Sequence, residues 1–156
     1  MDFGGGPVTG RVVEVRLGAA PASYGAWRLL AFASEADRTN AAVSGPLAAP
    51  LGDGVANLER YAFGLGWEAP ASGRFPSLER AADGWDYCFA FDPGRDDVAC
   101  VVETTEDISD WSAAERLFDS RSDYPESLEA GWLTLRDARL SPRRFYRLRL
   151  ILSGAE

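Results

Sequence analysis

The chain has 156 residues and a net charge of −8; all sixteen of its basic residues are arginine, and His, Lys and Gln are absent. Without His or Lys there are no Ser-His or Cys-His nucleophile pairs, His-based zinc sites, Walker-type phosphate loops or pyridoxal chemistry, so only carboxylate mechanisms stay open to its 24 acidic residues. The negative charge opposes nucleic acid and anionic membranes as partners, and no run of about 18 apolar residues could span a membrane.

In chain order, residues 1–7 are Gly-rich and lack the basic start and apolar core of a secretory signal. Residues 8–17 read as a strand, with Val13, Val15 and Leu17 alternating with Val12, Glu14 and Arg16. Ser23 is a candidate N-cap for a helix carrying Tyr24, Trp27, Leu30 and Ala31 and running to about Ala36. A second short helix begins near Val55, carries Leu58, Tyr61, Ala62 and Leu65, and stops at the glycines Gly64 and Gly66. Residues 67–84 have no sustained period and read as a linker.

Beyond the linker the period becomes two. Trp85, Tyr87, Phe89 and Phe91 share one face, and Val98, Cys100 and Val102 share another after the turn Asp92-Pro93-Gly94-Arg95. The expected element is a hairpin whose apolar faces match, with Cys100 inward, Cys88 outward and both thiols free. Residues 104–129 read as acidic and turn-rich around Trp111. Residues 132–136 and 143–152 read as strands, the last with Tyr146, Leu148, Leu150 and Leu152 inward and Arg147 and Arg149 outward. The expected fold is thus α+β, mainly β, with two short N-terminal helices before an antiparallel sandwich-like module. Its segments are 1–21 (strand and connector), 22–66 (helix, loop, helix), 67–84 (linker) and 85–156 (β module).

The stretch 45–62 reads as a degenerate calcium loop leading into a helix. Gly52, Asp53, Gly54, Asn57, Leu58 and Tyr61 keep the frame, but Ala49, Leu51 and Arg60 stand where acidic ligands belong. Calcium takes about 6–8 oxygen ligands, and these three side chains supply none. The reading is a loop kept for its shape, with Asp53 and Asn57 vestigial and no metal held.

Four motifs in order resemble a C-terminal module of large secreted verrucomicrobial proteins. Tyr24 and Trp27 match its first helix. Asp53, Gly54, Asn57, Tyr61, Ala62 and Gly64 match its loop, which is also similar to thrombospondin type 3 and dockerin loops. Val102, Glu103, Thr105, Asp107, Ile108 and Trp111 match its β signature, and Arg144, Phe145, Arg147, Leu148 and Arg149 its last strand. The resemblance spans roughly residues 22–151 and implies an extracellular or cell-surface, non-catalytic terminal module with a small β-sandwich. A chain complete as given would instead be expected in the cytoplasm.

No catalytic residue and no cofactor is expected. The acids Asp96, Asp97, Glu103, Glu106, Asp107 and Asp110 read as a solvated edge before a glycosidase pair. Trp85, Trp111 and Trp132 read as packed rather than as sugar-stacking rings, and Trp67 as the freest of the five tryptophans. Trp67, Arg143, Arg147 and Arg149 are the candidate interaction residues, although a salt-bridged outer sheet face explains the arginines more simply. The expected partner is another protein or the remainder of a larger one, with polysaccharide as an alternative. A glycosidase fragment and a small accessory subunit of an intracellular complex are the other functional alternatives.

Overall fold

The structure is a computed structural model and describes residues 22–68, 75–123, 131–139, 141 and 143–154. The strand expected over residues 8–17 lies outside them. The described residues form four short helices and two antiparallel three-stranded sheets, so the protein is mainly β with some helix.

The helices are α1 (Tyr24–Ala31), α2 (Glu35–Thr39), α3 (Ala41–Ser44) and α4 (Asn57–Ala62). Ser23 caps α1 as expected, its hydroxyl accepting from the Ala26 amide at 3.2 Å. The helix does not run on to Ala36. Phe32 turns extended and buries its ring 4.2 Å from that of Trp67. Ser34 and Asn40 then restart the chain as α2 and α3 by capping the Asp37 and Ala42 amides. One expected helix is therefore three, because burying Phe32 outweighs helix continuation and two good caps stand ready.

The strands are β1 (Ser77–Ala81), β2 (Gly84–Phe91), β3 (Val98–Thr105), β4 (Glu115–Asp119), β5 (Gly131–Asp137) and β6 (Phe145–Leu152). One sheet has the order β1-β2-β5 and the other β4-β3-β6. The expected hairpin is thus corrected: β2 and β3 do not pair. The 92–97 turn carries the chain from one sheet to the other. Facing apolar rows satisfy burial across a sheet-to-sheet gap as well as across a hairpin, so alternation alone could not separate the two arrangements. The faces themselves are as read. Tyr87, Phe89 and Phe91 from one sheet meet Cys100, Val102 and Phe118 from the other in a single core, with Leu133, Leu135, Tyr146, Leu148 and Leu150 packed against it.

Two further strands lie where none was expected. β1 falls within the stretch read as linker, and its residues are almost all exposed, so it carries no apolar alternation. β4 falls within the turn-rich stretch, and its register against β3 shifts between Val102 and Glu103. That bulge lets the adjacent Leu117 and Phe118 both pack on the core and hides the period.

Gly84 opens β2 where the backbone of its neighbour comes close. A Cβ there would lie 2.0 Å from the Asp137 carbonyl oxygen. Gly84→Ala is therefore expected to cost about 2–3 kcal/mol in denaturant unfolding, by overpacking against backbone that cannot yield. A loss below about 0.5 kcal/mol would mean that the β2–β5 approach is looser than described.

Both cysteines are free thiols, as the face assignment implied. Cys88 sits on the outer face, its sulfur 3.4 Å from the Thr134 hydroxyl. Cys100 lies in the core, where burial pushes its thiol up to about 12. A thiol reagent at neutral pH is expected to label one cysteine per folded chain and two in denaturant. Rapid labelling of both in the folded protein would contradict the described core.

Candidate functional site

The helices and the loop before α4 form a cap on one end of the two-sheet core. Gly52 and Gly54 both have positive φ, 71° and 77°, which frees the loop to turn on either side of Asp53. Asp53 accepts from the Val55 amide at 3.1 Å and from the guanidinium of Arg60. The Val55 amide first, then Arg60, hold its carboxyl below the usual range. Asn57 is fully buried, and its amide nitrogen donates to the carbonyls of Val43 (2.8 Å) and Gly45 (3.0 Å). The first α4 amides, from Asn57 and Leu58, donate back to the Ala48 and Pro46 carbonyls at 2.9 Å. Orphan donors at the helix start thereby close the loop.

Arg60 is the residue whose role the sequence did not reveal. As a sequence it is a lost ligand. In the structure its side chain is 0% exposed, inside the cap, and its guanidinium is ion-paired to the loop carboxylate. The loop thus has a cation from its own helix. The residues present do not fit calcium: Asp53 is committed to Val55 and Arg60, Asn57 presents donors to carbonyls, and Ala49 and Leu51 bring no oxygen. Among the described residues, no group of three or more acidic or Cys side chains is placed to hold a metal.

A second set of contacts, also unread in the sequence, ties the cap to the sheets. Asp97, at the β2–β3 turn, accepts from the Tyr24 amide (2.7 Å) and the Tyr61 hydroxyl (2.6 Å). Tyr61 is fully buried, and its phenol is pushed up first by burial and then by Asp97. The Arg95 guanidinium stands over its ring at 4.7 Å. Asp97 does not belong to the solvated acidic edge its sequence context predicts; it accepts from the buried Tyr61 phenol and joins two layers. The signal was the proximity in sequence of Asp97 to a turn, which says nothing of what lies above it.

Asp96 is exposed, as expected of a solvated edge, and the other acids of that stretch are in structural roles. Glu103 is held by Arg147 (2.7 Å) and Arg149 (3.0 Å) on the outer sheet face. Asp107 and Asp110 each bind the amide and hydroxyl of a serine two residues on, Ser109 and Ser112. Glu106 lies 3.9 Å from Arg144. At the far end of the core, Asp137 accepts from Arg139, Arg144 and the Tyr146 hydroxyl.

The candidate interaction residues do not come together. Trp67 is packed against Phe32 and Trp27 rather than free. Arg147 and Arg149 share Glu103, and Arg147 also lies over the Trp111 ring at 4.2 Å. Arg143 is exposed near the start of β6. Trp132 is not packed as expected: Leu133 and Leu135 take the inward face of β5, which leaves Trp132 on the outer face, 52% exposed and the most exposed of the tryptophans. Trp85 shares the inner-face row of β2 but stands outside the core clusters, half-buried under the Arg80 guanidinium.

A groove of about 400 Å³ runs between α4 and the edge of β6, lined by Leu58, Phe63, Tyr87, Leu148 and Leu150, with Arg147 at its outer side. Leu47, 87% exposed, stands at its rim. Among the described residues, no helix is long and apolar enough to cross a membrane. No family model matches the chain, and no match was found among curated proteins or solved structures.

Proposed function

We propose that this chain is a non-catalytic interaction module, a β-sandwich with a vestigial calcium-loop cap, that terminates or attaches a larger extracellular or cell-surface protein. The observation that carries the reading is the cap. Its loop keeps both positive-φ glycines while Arg60 occupies a ligand position and pairs with Asp53. A frame kept without its ion is a frame kept to hold two layers together. Of the carboxylates that might have served glycoside hydrolysis, Asp97, Glu103, Asp107 and Asp110 are committed to arginines, serines and a tyrosine, which suits a scaffold better than an acid/base pair.

Polysaccharide is the weaker alternative. Stacking on sugar needs aromatic rings that share an exposed plane. Trp132 lies on the outer face of β5, Trp85 on the opposite face of the same sheet, and Trp111 beneath Arg147 on the other sheet. They offer no common platform.

The test is the mass and location of the native product in its own cells, by fractionation and immunodetection. The expected result is a surface or secreted band much larger than 16.9 kDa. A band of the chain's own mass inside the cell would replace this reading with an accessory subunit of an intracellular complex.

A further inference from the structure

Strands β4 and β6 flank β3, and their register gathers charged side chains on the outer face of that sheet. Cys100 and Val102 point into the core, so Val101, Glu103 and the residues directly opposite them point out. Opposite Glu103 stand Arg116 of β4 and Arg147 of β6; opposite Val101 stand Asp119 and Arg149. Arg121, just past β4, reaches back to Asp119 with Nε at 2.9 Å and Nη2 at 2.7 Å. Side-chain exposure is 14% for Glu103 and 5% for Asp119, against 34–58% for the four arginines. The carboxylates are therefore the sunken partners, and solvent meets guanidinium.

The pairing does not neutralise this face. Among the described residues, its rows set four guanidiniums over two carboxylates, in a chain whose net charge is −8. The sunken carboxylates also hold the cations in place. One Glu103 oxygen lies 2.7 Å from Arg147 Nε and 3.0 Å from Arg149 Nε, and the Arg147 guanidinium rests over the Trp111 ring. Long side chains fixed in advance lose less freedom when a ligand binds. Acids border the rows, Asp123 beside Asp119 and the exposed 106–110 loop next to Trp111. An anion is thus favoured on the rows and opposed around them.

We infer that this face docks an extended acidic segment of a partner protein, with Asp or Glu at every second position. Charge calls for an anion, and spacing selects a peptide. Arg147 and Arg149 project from one face about 6.6–6.8 Å apart along β6, and Arg116 stands about 9.5 Å across the sheet from Arg147. An extended peptide repeats side chains on one face at that same interval of about 6.6–6.8 Å. Its alternate carboxylates each meet a guanidinium, whose planar fork matches them. The inference rests on the reading of the chain as an interaction module and gives that module a class of partner.

The probe is a peptide of about ten residues alternating Glu and Thr, titrated into the full chain and followed by the arginine Nε–Hε resonances. Binding with a Kd on the order of 1 mM or tighter is expected at about 50 mM salt, weakening at least about fivefold at about 300 mM. The Gln–Thr counterpart should bind at least about fivefold more weakly, and so should a peptide with the same Glu residues gathered in one block. Arg116→Gln/Arg149→Gln leaves each sunken carboxylate one arginine, so the core amide resonances should stay in place while the peptide weakens at least about fivefold. Arg80→Gln/Arg136→Gln removes the same charge from the other sheet and should change affinity less than about twofold. The inference is overturned if the alternating peptide does not bind, if the block peptide binds as well, or if both double variants lose affinity equally. Tighter binding of an oligouronate of equal charge would assign the face to polysaccharide and also overturn it. Failure of the peptide with the core intact strikes the partner class alone; the module reading is struck by the intracellular band described above, whatever the peptide does.

Discussion

Trp27→Ala is expected to destabilise the protein by about 3–5 kcal/mol, the range for truncating a buried large aromatic. Trp27 is 6% exposed and stands at the centre of the cap. Its ring lies 5.4 Å from Tyr24, 6.0 Å from Phe32, and 6.3 Å from both Tyr61 and Trp67. The cluster around it rests on Val98, Leu150 and Leu152 of β3 and β6. Removing the indole leaves a void on several sides at once, and neighbours already fixed by hydrogen bonds to Ser44 and Asp97 cannot collapse into it. Urea unfolding followed by tryptophan fluorescence and circular dichroism reads the loss, which corresponds to a fall in Tm on the order of 10 °C for a chain this size. A loss below about 1 kcal/mol would mean that the cap does not dock on the sheets.

Arg60→Ala is expected to cost about 2–4 kcal/mol, and two effects contribute. Its stem is buried in the cap, so truncation removes packing as well as charge. The guanidinium also ties the loop to α4 through Asp53. That carboxylate is about a third exposed, with a side-chain exposure of 36%, so once released it turns to water and the charge penalty stays well below that of a fully buried pair. Arg60→Met separates the terms. It restores most of the packing and none of the pairing, and is expected to remain about 1–2 kcal/mol below the parent. Arg60→Glu should be worse than either, because it sets two carboxylates against each other where one is buried. A Met variant as stable as the parent would reduce Arg60 to filler.

Much of this fold was legible from residue periodicity. The inward rows of β2, β3 and β6 are those the alternation gave, and the free, opposite-facing cysteines follow from them; which face of β5 turns inward was not read from its sequence. Sheet membership was not legible. Tyr87, Phe89 and Phe91 need an apolar row opposite, and Cys100 with Val102 supplies one equally well across a hairpin or across two sheets. β1 was hidden because an exposed edge strand such as 77–81 has no face to declare itself. The three-helix start was half visible: Ser34 and Asn40 are caps by type, but the reason to stop α1 is the burial of Phe32 against Trp67, a contact between residues 35 positions apart. In the cap, the sequence marked Arg60 as a departure from a ligand pattern, while its pairing with Asp53 and its complete burial depend on the turn that Gly52 and Gly54 make. Asp97 shows the same limit: a carboxylate in an acidic stretch looks solvated until Tyr24 and Tyr61 are seen above it.

The central claim is that the loop holds its shape by its own cation. The most direct test is the melting temperature of the full chain in chelator, in buffer, and with millimolar calcium. The expected result is one temperature in all three, with Arg60→Ala melting lower and gaining nothing from calcium. A rise of several degrees in the parent with calcium would contradict the claim, because it would require a set of oxygen ligands that Ala49, Leu51 and Arg60 do not provide.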